Sequence, residues 1–268
     1  MGGFLALSGA CFALLVVLQS VTCVISLRAH RFRIVDQVWG SGLALVSILC
    51  ALIGTGDLPR RILLAIVVTV WGARLTAHIA RRARGTDEDP RYAELVAGKS
   101  AAAAAGAVFG IQCVAQWFIS LPIQVAACSG PPSGLAWLIV SAGGAVAVAG
   151  MVVESIADRQ LKAFKADHDI HGCIMDQGLW GWSRHPNYFG DALVWVGVYL
   201  VAVAVWPGPL TVLSPAAMVW FLVVATGARR LERHLASRPG YAAYQERTSF
   251  FVPRPPDRSR ITRPTPKS

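Results

Sequence analysis

The stretch FLALSGACFALLVVLQSVTCVISL, residues 4–27, contains no charged side chain. A helix rises about 1.5 Å per residue, so about 20 apolar residues cross the hydrocarbon of a bilayer. The start of the chain is therefore read as a membrane span. No Lys or Arg precedes it, and its apolar run exceeds the roughly 7–15 residues of a signal-peptide core, so a retained helix is expected rather than a cleaved leader. After Met1-Gly2-Gly3, position six is Ala6 and not the Ser or Thr that a myristoylation signal carries.

Working outward, similar stretches recur at residues 38–56, 106–128, 135–153, 189–206 and 210–228, and one at 62–79 is interrupted by Arg74 and His78. Together they predict an all-α, multi-pass integral membrane protein of seven transmembrane helices. The composition agrees: 54% of residues are hydrophobic, 15% are charged, and the mean hydropathy of +0.51 excludes an ordinary water-soluble globule.

The formal charge is +10. Threaded through seven spans, 22 of the 25 Lys and Arg fall on one side and 2 on the other, with Arg74 inside a span. The basic side is cytoplasmic by the positive-inside rule, which puts the N-terminus outside and the C-terminus in the cytoplasm. Topology thus accounts for the basic excess, and no nucleic-acid partner is expected. Arg outnumbers Lys 21 to 4, a bias common in GC-rich bacterial genes, so a bacterial inner membrane is the expected location.

Residues 1–253 are read as a single membrane-embedded domain and 254–268 as a basic, Pro/Arg-rich disordered tail. The tail could touch anionic head groups, although a topology signal is the simpler reading. The run Ala101 to Ala105 is taken as the beginning of a helix. The six cysteines include no CxxC pair, and five lie inside apolar stretches, so they are read as small core residues. His168, His171 and Cys173 lack a carboxylate or second Cys at metal spacing, and no metal is expected.

Ionisable groups held at membrane depth need a partner or a water-filled cavity, and three segments supply them. In WGARLTAHIARR (71–82), Arg74, His78 and Arg81 or Arg82 share one helical face. In ESIADRQLKAFKADHD (154–169), Glu154, Asp158, Leu161 and Lys165 repeat at helical spacing, a pattern that a solvated face also explains. In GLWGWSRHPNYFGDALVW (178–195), Arg184, His185, Asn187, Tyr188 and Asp191 crowd the start of the sixth span, with Pro186 where a helix would begin. A helix N-terminus and the planar fork of Arg184 together suit a phosphate.

The stretch LWGWSRHPNYFGD (179–191) resembles the C-terminal signature of the steroid 5-alpha-reductase-like membrane reductases, in particular their bacterial DUF1295 branch. WGARL (71–75), EDPRY (88–92), ESIADRQLKAFK (154–165), SP (214–215) and PGYAAYQERTSFFVP (239–253) extend the likeness in order. The Gly-Asp ending is similar to the sterol C14 and C7 reductases.

The resemblance implies a seven-helix NADPH-dependent reductase with a cytosol-facing cofactor pocket, carried mostly by residues 100–253. It assigns cofactor contacts to Arg74, Asp158, Lys162, Lys165, Arg184, His185, Asn187, Arg233, His234 and Tyr244, and to Asp191 if that residue is not the proton donor. The reaction it implies adds hydride to a C=C bond, conventionally conjugated to a carbonyl, in a steroid, isoprenoid or other lipophilic substrate from the bilayer. Candidates for the proton donor are Tyr188 and Asp191, with Glu154 behind them, because burial favours the neutral carboxylic acid. Trp71 stands where the animal steroid reductases carry a ketone-polarising Tyr, so a steroid substrate does not follow.

Two other readings remain. Arg184-His185-Pro186, Tyr188, Gly190, Glu232, Tyr241 and Tyr244 also resemble the S-adenosylmethionine-dependent isoprenylcysteine and phospholipid methyltransferases. That cofactor has no phosphate and leaves Arg74, Lys162 and Lys165 without an obvious anion. A non-catalytic lipid-binding or scaffolding protein with the same fold is the third reading.

Overall fold

The structure is a computed structural model that describes residues 2–83, 97–166, 173–225 and 227–256. The EDPRY segment at 88–92, His168, His171 and tail residues 257–268 lie outside them. Among the described residues, seven helical stretches are long and apolar enough to cross a membrane: Gly2–Ala29, Ile34–Ile53, Leu58–Ala83, Ala102–Ile119, Ala136–Ala166, Pro186–Val203 and Gly208–Leu235. No strand occurs among the described residues, and the all-α multi-pass expectation holds.

The elements run α1 (Gly2–Ala29), α2 (Ile34–Ile53), α3 (Leu58–Ala83), α4 (Ala101–Ala105), a π-helical turn (Gly106–Gly110), α5 (Ile111–Ile119), α6 (Leu121–Cys128) and α7 (Ala136–Ala166). They continue as a 3-10 turn (Gly178–Gly181), α8 (Pro186–Val203), a second 3-10 turn (Gly208–Thr211), α9 (Leu213–Trp220), a π-helical turn (Phe221–Ala225), α10 (Ala228–Leu235) and α11 (Tyr241–Arg247). Ser100 caps α4, its hydroxyl accepting from the backbone N–H of Ala103. Two compact units divide the chain, one of residues 1–145 and 197–215, the other of 146–196 and 216–268.

In the first unit the fourth span starts earlier and stops sooner than its apolar run predicts, at Ile119 rather than Cys128. Pro122 is the cause. Lacking an N–H, it leaves the Phe118 carbonyl without its helical donor, and the Ser214 hydroxyl donates to that oxygen at 2.8 Å. Gln116 ties three helices together: its amide donates to the Val38 and Trp39 carbonyls, and its oxygen accepts from Gln19. Gly40 and Gly72 bring α2 and α3 into backbone contact, since a Cβ on Gly72 would lie 2.3 Å from the Gly40 oxygen. Arg60 is fully buried and donates to the carbonyls of Ala126, Ser129 and Gly130, closing the C-terminal end of α6.

α7, which belongs to the second unit from Val146 onward, outruns the membrane. Its 31 residues measure about 46 Å at 1.5 Å per residue, against about 30 Å of hydrocarbon, so the polar segment from Glu154 onward continues beyond the apolar part. Gly150 and Gly190 let α7 and α8 touch: a Cβ on Gly190 would come within 2.6 Å of the Glu154 backbone nitrogen. The last span is broken at Gly227, where a Cβ would overlap the Leu222 oxygen at 1.8 Å. Only glycine fits at that position, and α10 begins at the next residue.

Candidate functional site

The candidate site is built from the second unit. Pro186 opens α8 as expected, its missing N–H costing nothing in the first turn. The residues before it pair with the C-terminal segment. The Arg184 N–H donates to the Ser249 carbonyl at 2.8 Å, the Ser183 hydroxyl to the Phe251 carbonyl at 2.8 Å, and the Arg254 N–H to the Trp182 carbonyl at 3.0 Å.

Arg184 then turns its side chain inward. Nε donates to Glu232 Oε1 at 2.6 Å, Nη2 to Glu232 Oε2 at 3.1 Å, and Nη1 to the carbonyls of Gln245 and Thr248 at 2.8 Å each. Glu232 also meets His185 Nε2 at 3.2 Å, the Tyr241 hydroxyl at 3.2 Å and the Gln245 amide at 2.9 Å. One carboxylate therefore joins the start of α8 to α10 and α11. The arginine fork expected to face a phosphate is occupied by protein, and an incoming anion would have to displace Glu232 or two carbonyls.

Tyr244 anchors the same region, its hydroxyl donating to the Trp180 carbonyl at 2.6 Å. Trp180 Nε1 donates to the Ala157 carbonyl at 3.0 Å, and the Leu179 N–H to Gln160 Oε1 at 3.0 Å. Arg247 pairs with Asp176. Burial, followed by the Glu232 charge, pushes the Tyr241 phenol well above its usual range, and burial does the same to Tyr244. Both remain neutral donors.

The other expected site residues divide. Asn187 Nδ2 reaches Asp158 Oδ1 at 3.4 Å, which brings two of the assigned cofactor contacts together. Tyr188 stacks on His185, with ring centroids 5.8 Å apart. Glu154 and Asp191 are buried, at 4% and 5% exposure, on the two helices that meet at Gly150 and Gly190. Lys162 and Lys165 are exposed on the emerging end of α7, and Arg233 and His234 on α10. Arg74 belongs to the first unit.

A cleft of about 530 Å³ opens beside this cluster, lined by Val224, Arg229, Glu232, Arg233, Ala236 and Gln245. Arg229 and Arg233 stand one helical turn apart, and among the described residues neither forms a salt bridge. The carboxylate between them is committed to Arg184 and His185. Sequence reasoning missed Arg229 and Gln245; the i, i+4 spacing of the two arginines on a short polar helix was the available signal.

A family model described as a protein of unknown function, DUF1295, matches residues 22–248. The chain belongs to the DUF1295 family. This is a family of the steroid 5-alpha-reductase-like superfamily, so the DUF1295 protein is a membrane protein of that superfamily. An uncharacterized protein of Schizosaccharomyces pombe is 33% identical over 81 residues, 29% of this chain and 23% of the yeast protein. The match thus spans about a quarter of that relative's length. No solved structure matches the chain.

Proposed function

We propose that this DUF1295 protein is an NADPH-dependent reductase that saturates a C=C bond, conjugated to a carbonyl, in a lipophilic substrate drawn from the bilayer. The observation that carries this reading is the cleft beside α10. Its volume lies within the roughly 300–1,000 Å³ of small-molecule sites, and its two arginines face it without an internal counter-ion. An anionic ligand answers that charge. NADPH carries a pyrophosphate and a further phosphate, whereas S-adenosylmethionine carries none.

The residues present fit such a cofactor. Arg229 and Arg233 supply point charges and planar forks for phosphate oxygens, and His234, Lys162 and Lys165 add exposed donors. Asn187, held by Asp158, presents an amide to polar cofactor groups. When bound, NADPH supplies the hydride. The chain must then deliver a proton and stabilise developing negative charge on the substrate oxygen. Buried Asp191 is the proposed proton donor, with Tyr188 as the alternative and Glu154 as the next carboxyl. Arg184, His185 and Tyr244 hold the surrounding wall.

The methyltransferase reading has one observation in its favour: Arg184, His185, Glu232 and Tyr241 converge on one point, and Tyr244 packs against Tyr241. Yet Arg184, His185 and Tyr241 bind Glu232, and Tyr244 binds a backbone carbonyl. The motif common to both families therefore reads as a clasp that holds the fold, and it favours neither cofactor.

The test is a thermal-stabilisation titration of the detergent-purified protein with NADPH, NADH and S-adenosylmethionine. Stabilisation by NADPH above NADH is expected. Stabilisation by S-adenosylmethionine alone would overturn the reductase reading. A bacterial inner membrane, with the arginine-rich ends of the helices in the cytoplasm, is the proposed location.

A further inference from the structure

We infer that Cys11 and Cys50 form a built-in site for an intramolecular disulfide that tethers α1 to α2. Their sulfurs lie 3.7 Å apart, from helices 39 residues distant in sequence. Both are buried, at 0% and 1% exposure, and both are free thiols.

The positions are fixed from either side. Cys11 lies on the inward face of α1 with Leu7, Ser8 and Leu15, and that face is pinned where Trp117 Nε1 donates to the Ser8 hydroxyl at 3.0 Å. A second pin is the Gln19–Gln116 pair at 2.8 Å. Cys50 occupies the last turn of α2, where its carbonyl accepts from the Gly54 N–H at 3.0 Å. Closing the remaining gap to a covalent S–S bond takes about 1.7 Å of side-chain rotation and helix adjustment.

The surroundings select the chemistry. Two thiols in an apolar interior could bridge a soft metal ion, but a bis-thiolate complex of a monovalent metal buries a net negative charge, which is costly there. A disulfide is neutral and costs no charge burial. Forming it breaks two S–H bonds and makes one S–S bond, and the two electrons and two protons go to an acceptor. The acceptor is a small lipophilic oxidant of the quinone class, reduced to the quinol, which meets the two thiols when α1 and α2 part transiently within the bilayer.

The experiment uses the full chain in native membrane vesicles treated with diamide, a small membrane-permeant oxidant whose N=N bond takes up the two hydrogens. The protein is then denatured, alkylated and mapped without reduction. A Cys11–Cys50 cross-linked peptide is expected, with Cys23 and Cys113 still alkylated. The thermal midpoint should rise by about 5 °C. Cys11→Ala should abolish both changes and leave Cys50 alkylated, whereas Cys128→Ala should leave both intact. Full alkylation of Cys11 and Cys50 after diamide, or a Cys50–Cys128 cross-link in their place, would overturn the assignment. The map on the unsubstituted chain decides this even if a variant fails to fold.

Discussion

Arg184 and Glu232 meet through two parallel hydrogen bonds, Nε to Oε1 and Nη2 to Oε2, with side chains 11% and 13% exposed. Removing one partner of such a pair strands the other charge in a poorly solvated place, at a cost of about 3 kcal/mol. Arg184→Ala and Glu232→Gln should therefore both lower the thermal midpoint without added ligand. Arg184→Lys should recover only part of the loss, because a lysine cannot span both oxygens. Melting curves in detergent check this, and an unchanged midpoint in Arg184→Ala would remove the clasp.

The cleft arginines should behave in the opposite way. Arg229→Ala and Arg233→Ala leave no buried partner behind, so the apo-protein should melt as before. Each should weaken NADPH binding by about tenfold, the loss of roughly one charge-assisted contact. Calorimetric titration with NADPH separates them from Arg184→Ala. Affinities unchanged in both variants would move the cofactor elsewhere.

Asp191→Asn should keep NADPH affinity and lower turnover by about a hundredfold or more if Asp191 is the proton donor. Tyr188→Phe is the matching test of the alternative. A collapse of NADPH affinity in Asp191→Asn would instead place Asp191 among the cofactor contacts. Arg263→Ala, outside the described residues, should change neither quantity.

Glycine substitutions test the helix crossings. Gly72→Ala and Gly190→Ala each drive a methyl group to within 2.6 Å of neighbouring backbone, and should cost about 1–3 kcal/mol by overpacking. Gly9→Ala, on a part of α1 with nothing within 4 Å, should be neutral or slightly stabilising. Equal effects at all three positions would contradict the close approach of α2 to α3 and of α7 to α8.

Alkaline pH should weaken the second unit. Burial raises the folded-state pKa of Tyr241 and Tyr244, so the unfolded chain ionises first, near a phenol's ordinary value of about 10. The stability these phenols contribute is complete below that pH and is lost as pH rises above it. The midpoint of Tyr241→Phe, which cannot ionise, should fall less steeply between about pH 10 and 12.

The seven spans could be read directly from the chain because each is a local property. An uninterrupted apolar run long enough for the bilayer has only one low-energy structure there, a helix that satisfies its own backbone. The same locality placed the start of α8 at Pro186 and the Ala101–Ala105 run in a helix. It also marked Asp158, Arg184, His185, Asn187 and Asp191 as residues needing an explanation. It did not place the break after Ile119, because the cost of Pro122 depends on whether the Phe118 carbonyl finds another donor, and Ser214 lies 96 residues from it.

Tertiary structure alone decided the partners. Hydrophobic period and charge count say that Arg184 must be compensated, but whether by a ligand or by a carboxylate 48 residues away depends on how α10 packs against the start of α8. The two cysteines read as separate core residues became neighbours for the same reason. The sequence by itself determined which segments enter the membrane, since transfer from water to lipid is summed residue by residue along the chain. Which side chains meet inside was decided by helix crossings, whose close approach at Gly40, Gly72, Gly150 and Gly190 is a property of pairs of helices rather than of either one.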